Sequence, residues 1–355
     1  MNKLDNLKLI KSIDKSNMLG SIGILDKQIE QTWQEVNKLK LPASYKKVKK
    51  VIINGMGGSA IGGHILRALF YDKLKVPVGI INSYRIPECL DKETLYIVSS
   101  YSGSTEEPLE EIDKAKKRGA KIVGIAIGGK LEKICRTRNL PCFIFNPKYN
   151  PCNEPRMGLG YLVIGQIGIF HKCGLINLSP GEIKGIISSV RQASEKYNAA
   201  VPTQKNLAKQ FAEKIYGKTP VSVASEFLSG NIHTFANQIN ENSKNFSAYH
   251  LISELNHHLM EGLKFPKTNQ TNLIFIFINS NLYHPRNQKR YAVTKEIVTK
   301  NKIQSIDFKP AGKTKLEQSF EVLSFGEHVS FYLAILNGIN PSPIPYVDYF
   351  KKKLG

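Results

Sequence analysis

Apolar positions along this chain change rhythm at Pro42. Over residues 3–40 they recur at three- and four-residue intervals, Ile22, Leu25, Ile29 and Trp33 among them, which predicts amphipathic helix ending before that proline. Beyond it, short continuous apolar runs take over. Residues 48–54 (VKKVIIN), 76–82, 95–99, 121–127 and 142–145 read as buried strands, being short, rich in β-branched residues and bounded by turn formers or charge. Residues 64–71, 109–118 and 130–138 between them have helical length. Strands separated by helices predict a parallel sheet covered on both faces.

Residues 161–200 are helical throughout: an apolar segment, a Leu-Ser-Pro-Gly turn at 178–181, then an amphipathic helix. Alternation then resumes, with strands expected at 220–224, 246–252, 273–279 and 303–308 and a long closing helix at 316–336. The expected fold class is therefore α/β, two doubly wound parallel-sheet subdomains with covering helices. The expected division is 1–150 for the N-terminal helix and first α/β domain, 151–200 for a helical connection, and 201–355 for the second α/β domain with a C-terminal helical tail. A chain of 355 residues suits two domains at about 150 residues each. No internal repeat is legible, so the duplication rests on element order alone.

Composition narrows the class without choosing a function. With 41% hydrophobic and 22% charged residues the chain can bury a core, which excludes disordered, collagen-like and low-complexity proteins. Lys+Arg 50 against Asp+Glu 29 leaves a net charge of +21, which favours polyanions, anionic lipid or small acidic substrates alike. The densest basic runs, at 46–50, 114–121 and 351–353, read as solvated faces and strand leaders, so no nucleic-acid partner is expected. Residues 161–170, the longest near-apolar run, reach half the ~20 residues a bilayer needs, and the polar N-terminus lacks the apolar core of a signal peptide. No membrane association is expected, and the expected location is the cytoplasm. Cys89, Cys135, Cys142, Cys152 and Cys173 form no C-x-x-C pair and are odd in number, which fits reduced thiols; no histidine stands at ligand spacing from Cys142 and Cys152, and no metal site is expected.

Two loops carry candidate chemistry. Gly55-Met56-Gly57-Gly58-Ser59-Ala60 satisfies G-x-G-x-x-A directly after a strand and at a helix start. A dinucleotide site would also want an acid at the end of the second strand, where this chain has Ile81-Asn82-Ser83, so NAD is disfavoured and another phosphate-bearing ligand preferred. The next strand runs into TLYIVSSYSGSTEE, which sets Ser100, Ser102, Ser104 and Thr105 around Gly103 just before a helix. Hydroxyls and free N–H groups at a helix start complement a phosphate dianion. A plain N-cap explains one hydroxyl and leaves three over.

GMGGSAIGG followed by SSYSGSTEE resembles the sugar isomerase (SIS) domain. With QINENSK and ELNHH further on, the chain resembles the bifunctional phosphoglucose/phosphomannose isomerase family of archaea and bacteria, from residue 18 to the C-terminal NPSPIPYVDYFKKKL. The resemblance implies aldose–ketose isomerisation of a sugar 6-phosphate through a cis-enediolate, with neither metal nor redox cofactor required. It assigns the phosphate to Gly57, Gly58, Ser59, Ser100, Ser102 and Thr105. It makes Glu241 the base between C1 and C2, His257 the ring-opening residue contributed by the partner of a homodimer, and Arg156 the cation facing the enediolate. Lys351 best fits the ring-opening lysine, with Lys352 the alternative register. Glu241 by itself could equally be a solvated loop residue, and Arg156 an ordinary salt-bridging arginine.

His64 stands where the family often has Asp, and Ser104 where it often has Asn in S-G-N-T; both bear on affinity more than on chemistry. Two rivals share the phosphate loops. A non-catalytic sugar-phosphate-binding SIS regulator would lack the catalytic residues and append a helix-turn-helix. An isomerase of amino sugars or ketose 5-phosphates would not require the Glu241/His257 pair.

Overall fold

The computed structural model describes residues 2–354. The chain forms two compact units, one built from Ile24–Arg191 and the other from the stretch up to Gly23 joined by Gln192 onward. Residues 151–191, expected as a connection, thus fold with the first sheet, and the N-terminal stretch folds with the second.

The opening helical stretch is broken by its own Asn and Asp side chains, which offer the backbone alternatives to a continuing helix. Asn6 caps α1 (Leu7–Ile13), and Asp14 accepts from the backbone N–H of Met18 and Leu19 at the start of α2 (Met18–Gly23). Leu4, Ile10, Met18 and Ile22 are buried.

The unit of residues 24–191 opens with α3 (Leu25–Val36), then runs β1 (Lys50–Asn54), α4 (Gly58–Leu69), β2 (Val78–Ile81), β3 (Thr94–Ser99), α5 (Glu106–Glu110), α6 (Ile112–Lys117), β4 (Lys121–Ala126), α7 (Gly129–Thr137), β5 (Cys142–Ile144) and α8 (Leu159–Lys172). Helix α9 (Pro180–Tyr197) follows. The helix expected at 109–118 starts earlier and breaks at Glu111, whose carboxylate accepts from the Ile86 N–H instead. All five strands pair in parallel in the order β2-β1-β3-β4-β5. Ile52, Tyr96, Val98, Ile122 and Ala126 face one side with Ile112, Leu131 and Cys135 from the helices. Ile53 and Ile125 face the other, against α4 and α8, where Gly63 and Gly165 allow close approach. Every residue of α8 from Leu159 to Phe170 is buried, which explains its largely apolar sequence.

The second unit runs α10 (Leu207–Ile215), β6 (Thr219–Ser225), α11 (Ser229–Ser243), β7 (Ala248–Ile252), the one-turn helices α12 (Leu259–Gly262) and α13 (Asn269–Asn272), β8 (Leu273–Ile278), α14 (Pro285–Lys300), β9 (Gln304–Phe308), α15 (Lys315–Leu336) and α16 (Pro345–Leu354). Its parallel sheet has the order β7-β6-β8-β9. Counted within each sheet, the orders are 2-1-3-4-5 and 2-1-3-4: the duplication inferred from element order is a repeated doubly wound topology. No helix among the described residues is long and apolar enough to cross a membrane.

An ion pair helps fasten the N-terminal stretch to this unit. Lys209, on α10, has a fully buried side chain, and its ammonium donates to Asp5 Oδ1 (3.0 Å) and the Ala199 carbonyl (2.7 Å). Asp5 also accepts from the N–H and hydroxyl of Thr203. Asp5 is partly exposed but Lys209 is not, so removing Asp5 strands a buried ammonium. Asp5→Ala should therefore cost about 3 kcal/mol, read as a fall of roughly 6–12 °C in Tm for a unit of this size; a shift under ~2 °C would show the pair to be dispensable.

Candidate active site

In a doubly wound sheet the ligand crevice lies at the carboxyl ends of the strands where the connections turn to opposite faces. In the first sheet that point lies between β1 and β3, and both candidate phosphate loops leave from it. The strand ends approach so closely that a Cβ on Gly55 would stand 2.8 Å from the Ser99 carbonyl oxygen. Gly57 turns the chain into α4 with φ +49, a conformation that favours glycine. Gly103 (φ +68) makes the second loop possible, since a Cβ there would collide with the Gly128 carbonyl.

The two loops are tied together. Ser59, buried in the first turn of α4, accepts the Tyr101 N–H on its hydroxyl at 3.0 Å. Ser100 is fully buried, its hydroxyl 2.8 Å from that of Thr105 and accepting the Thr105 N–H at 3.3 Å. Ser102 is exposed and accepts the Ser104 N–H. Thr105 stands at the N-cap of α5 yet makes no capping bond with its side chain; its hydroxyl turns to Ser100 instead. A cap alone therefore does not account for this hydroxyl.

Arg156 joins the same cradle. It sits in a single 3-10 turn, Pro155–Met157, with its Cα 3.5 Å from the point a Cβ on Gly58 would occupy. Its side chain is 8% exposed and its Nη1 donates to Glu154 Oε2 at 2.8 Å. Three side chains hold this segment. Gln28, on α3, donates to the Tyr149 and Met157 carbonyls and accepts the Gly160 N–H. Asn150 donates to the Tyr101 hydroxyl (2.9 Å) and to the Glu154 carbonyl. Tyr101 itself is buried against Gly158, where a Cβ would meet its ring at 2.3 Å. Burial pushes the Tyr101 phenol up, the bond from Asn150 acting the other way, so it stays a neutral strut at physiological pH. Gln28, Asn150 and Tyr101 escape sequence reading; the available signal was an amide on the inner face of an amphipathic helix, since buried amides are there to be bonded.

The second unit carries the other candidates. Glu241 lies two residues before the end of α11 and is half-buried. The loop-like polar stretch around it is thus a helix end. Buried Ile232, Phe235, Ala236 and Ile239 give α11 its helical stripe, which outweighs the poor propensity of its glycine and four asparagines. That end is firmly anchored. Asn242 donates to the Ser330 hydroxyl of α15, Asn337 donates to the Ser243 carbonyl, and Lys244, left-handed at the C-cap, donates to the Pro341 carbonyl at 2.6 Å. These last two bonds join the Glu241 helix to the segment leading into α16, where Lys351 and Lys352 are exposed. His257 ends the 3-10 turn Glu254–His257 just beyond the edge strand β7 and is exposed. In the second sheet the corresponding switch point lies between β6 and β8, where the exposed Glu226, next after β6, accepts on Oε1 from the His284 N–H (2.8 Å) and the Asn287 amide (2.7 Å).

Residues 204–354 match the family model described as the bacterial phospho-glucose isomerase C-terminal SIS domain. The chain is 33% identical over 342 residues to a bifunctional phosphoglucose/phosphomannose isomerase of Caldicellulosiruptor bescii, covering 95% of this chain and 98% of that one. It is 28% identical to the protein of the same name from Thermoplasma volcanium, covering 90% and 96%. Among solved structures, a hypothetical protein from Thermus thermophilus superposes with a TM-score of 0.76 at 16% identity, covering 98% of this chain and 92% of that one, a likeness of fold. The chain belongs to the bifunctional phosphoglucose/phosphomannose isomerase family.

Proposed function

We propose that this protein interconverts fructose 6-phosphate with glucose 6-phosphate and with mannose 6-phosphate, without a metal, as a cytoplasmic enzyme of glycolysis and gluconeogenesis. The observation that carries the reading is the pair of tied loops at the β1/β3 switch point with a nearly buried guanidinium beside them. Gly57, Gly58, Ser59, Ser100, Ser102 and Thr105 take the phosphate. His257, contributed by the partner in a homodimer, and Lys351 open the sugar ring by moving a proton between the anomeric hydroxyl and the ring oxygen. Glu241 removes the proton from C2 of the aldose and returns it to C1, and Arg156 balances the charge of the enediolate between these steps.

Acceptance of both epimers follows from the chemistry. Glucose and mannose 6-phosphates differ only at C2, and both lose that stereocentre in the enediolate. A site that lets the C2–C3 bond rotate can reprotonate either face. The regulator reading is disfavoured because Glu241, His257, Arg156 and Lys351 are all present.

Incubating the purified protein with fructose 6-phosphate and excess EDTA should yield glucose and mannose 6-phosphates, quantified separately. No product of either kind would sink the isomerase reading, and glucose 6-phosphate alone would remove the second activity. A monomeric mass in sedimentation would remove the shared His257.

A further inference from the structure

Gln166 is the one amide in the run of buried residues that makes α8 apolar, and it is fully buried. An amide in such surroundings is costly unless it is bonded. Its Nε2 donates to the Ser59 carbonyl at 2.9 Å and to the Ser99 hydroxyl at 3.1 Å. Ser59 belongs to the first loop, and Ser99 is the last residue of β3, immediately before Ser100. The two hydrogens of one planar NH2 thus reach the roots of both loops from behind. The orientation of the amide is fixed by chemistry, because a carbonyl can only accept. Two glycines of α4 make room for it. A Cβ on Gly62 would stand 2.9 Å from the amide carbon, nitrogen and oxygen alike, and one on Gly63 would stand 3.5 Å from Oε1.

We infer that Gln166 is a positioning residue that sets the separation of the two phosphate loops, so that loss of its NH2 weakens phosphate binding and spares proton transfer. The inference rests on reading those loops as the phosphate site. Gln166 touches no substrate atom in this scheme; it acts through Ser59 and Ser99.

The test uses the full-length protein and inorganic phosphate as the probe, bound in a calorimeter, so that it does not depend on turnover. Gln166→Met keeps about the same length without a donor. Gly62→Ala keeps every hydrogen-bonding group and displaces the amide. Each should raise the Kd for inorganic phosphate and the KM for fructose 6-phosphate at least about tenfold, with kcat changed less than about threefold. Either folded variant binding phosphate within about twofold of wild type, whatever its Tm, would overturn the inference. In the wild-type protein the Gln166 side-chain NH2 should exchange its hydrogens slowly, and more slowly still with saturating phosphate. Exchange that phosphate leaves unchanged would overturn the inference even if neither variant folds. A wild-type protein without turnover whose phosphate binding still depends on Gln166 would leave the inference standing and remove the isomerase reading; one that binds no phosphate would remove the loop assignment and the inference together.

Discussion

Glu241→Gln should lower kcat by a factor of about 10²–10⁴, the range in which a positioned general base contributes. Glutamine keeps the shape and hydrogen bonding of the side chain but cannot take up the C2 proton. The fold should persist, because Asn242, Ser243 and Lys244 anchor the end of α11 and glutamine is isosteric with glutamate. The diagnostic measurement is solvent exchange. In D2O the wild-type enzyme should place deuterium at C1 of fructose 6-phosphate and C2 of the aldoses, and the variant should not, although phosphate binding persists. A variant with full turnover would refute the base.

Arg156→Lys should lower kcat by about 10²–10³, comparable with the loss of one preorganised donor from an oxyanion site. The substitution keeps the charge, so a simple requirement for a cation near the phosphate would leave activity largely intact. What it removes is the planar fork, which in a nearly buried position is fixed by Glu154 and by the turn Gln28 and Asn150 hold. The KM should move little, since the residues proposed to hold the phosphate lie in the glycine and serine loops and not at Arg156. Arg156→Ala should recover part of its activity when guanidinium is added to the assay, and wild-type rates from Arg156→Lys would make Arg156 a salt-bridging arginine after all.

The fold was largely readable because parallel strands buried on both faces are written as short continuous apolar runs. All nine expected strands occur, each within two residues of its expected start. Helices were read less well wherever tertiary packing overrode propensity. Helix α11 is the clearest case: asparagines and a glycine conceal a four-residue apolar stripe that only α15 makes meaningful. The same limit applies to the site. Loops defined by glycine conformation and hydroxyl density stand out in sequence, because those residue types have few other reasons to cluster. Their supports do not, because Gln28, Asn150 and Gln166 act over more than a hundred positions or through an ordinary loop. A single buried amide carries no local pattern beyond being out of place in an apolar helix.

The pairing of the first residues with Gln192 onward has a consequence for how the protein is made. The stretch up to Gly23 is made before Ile24–Arg191 but finds its partners, Lys209 and the unit around α15, only after it. All of Ile24–Arg191 is synthesised in between, which at about 5–20 residues per second takes on the order of ten seconds. During that interval the unit of the phosphate loops can complete its sheet from a continuous segment, while Leu4, Ile10, Met18 and Ile22 stay exposed on a nascent chain. Their burial, and the Asp5–Lys209 pair with it, is completed only once the segment from Gln192 has followed.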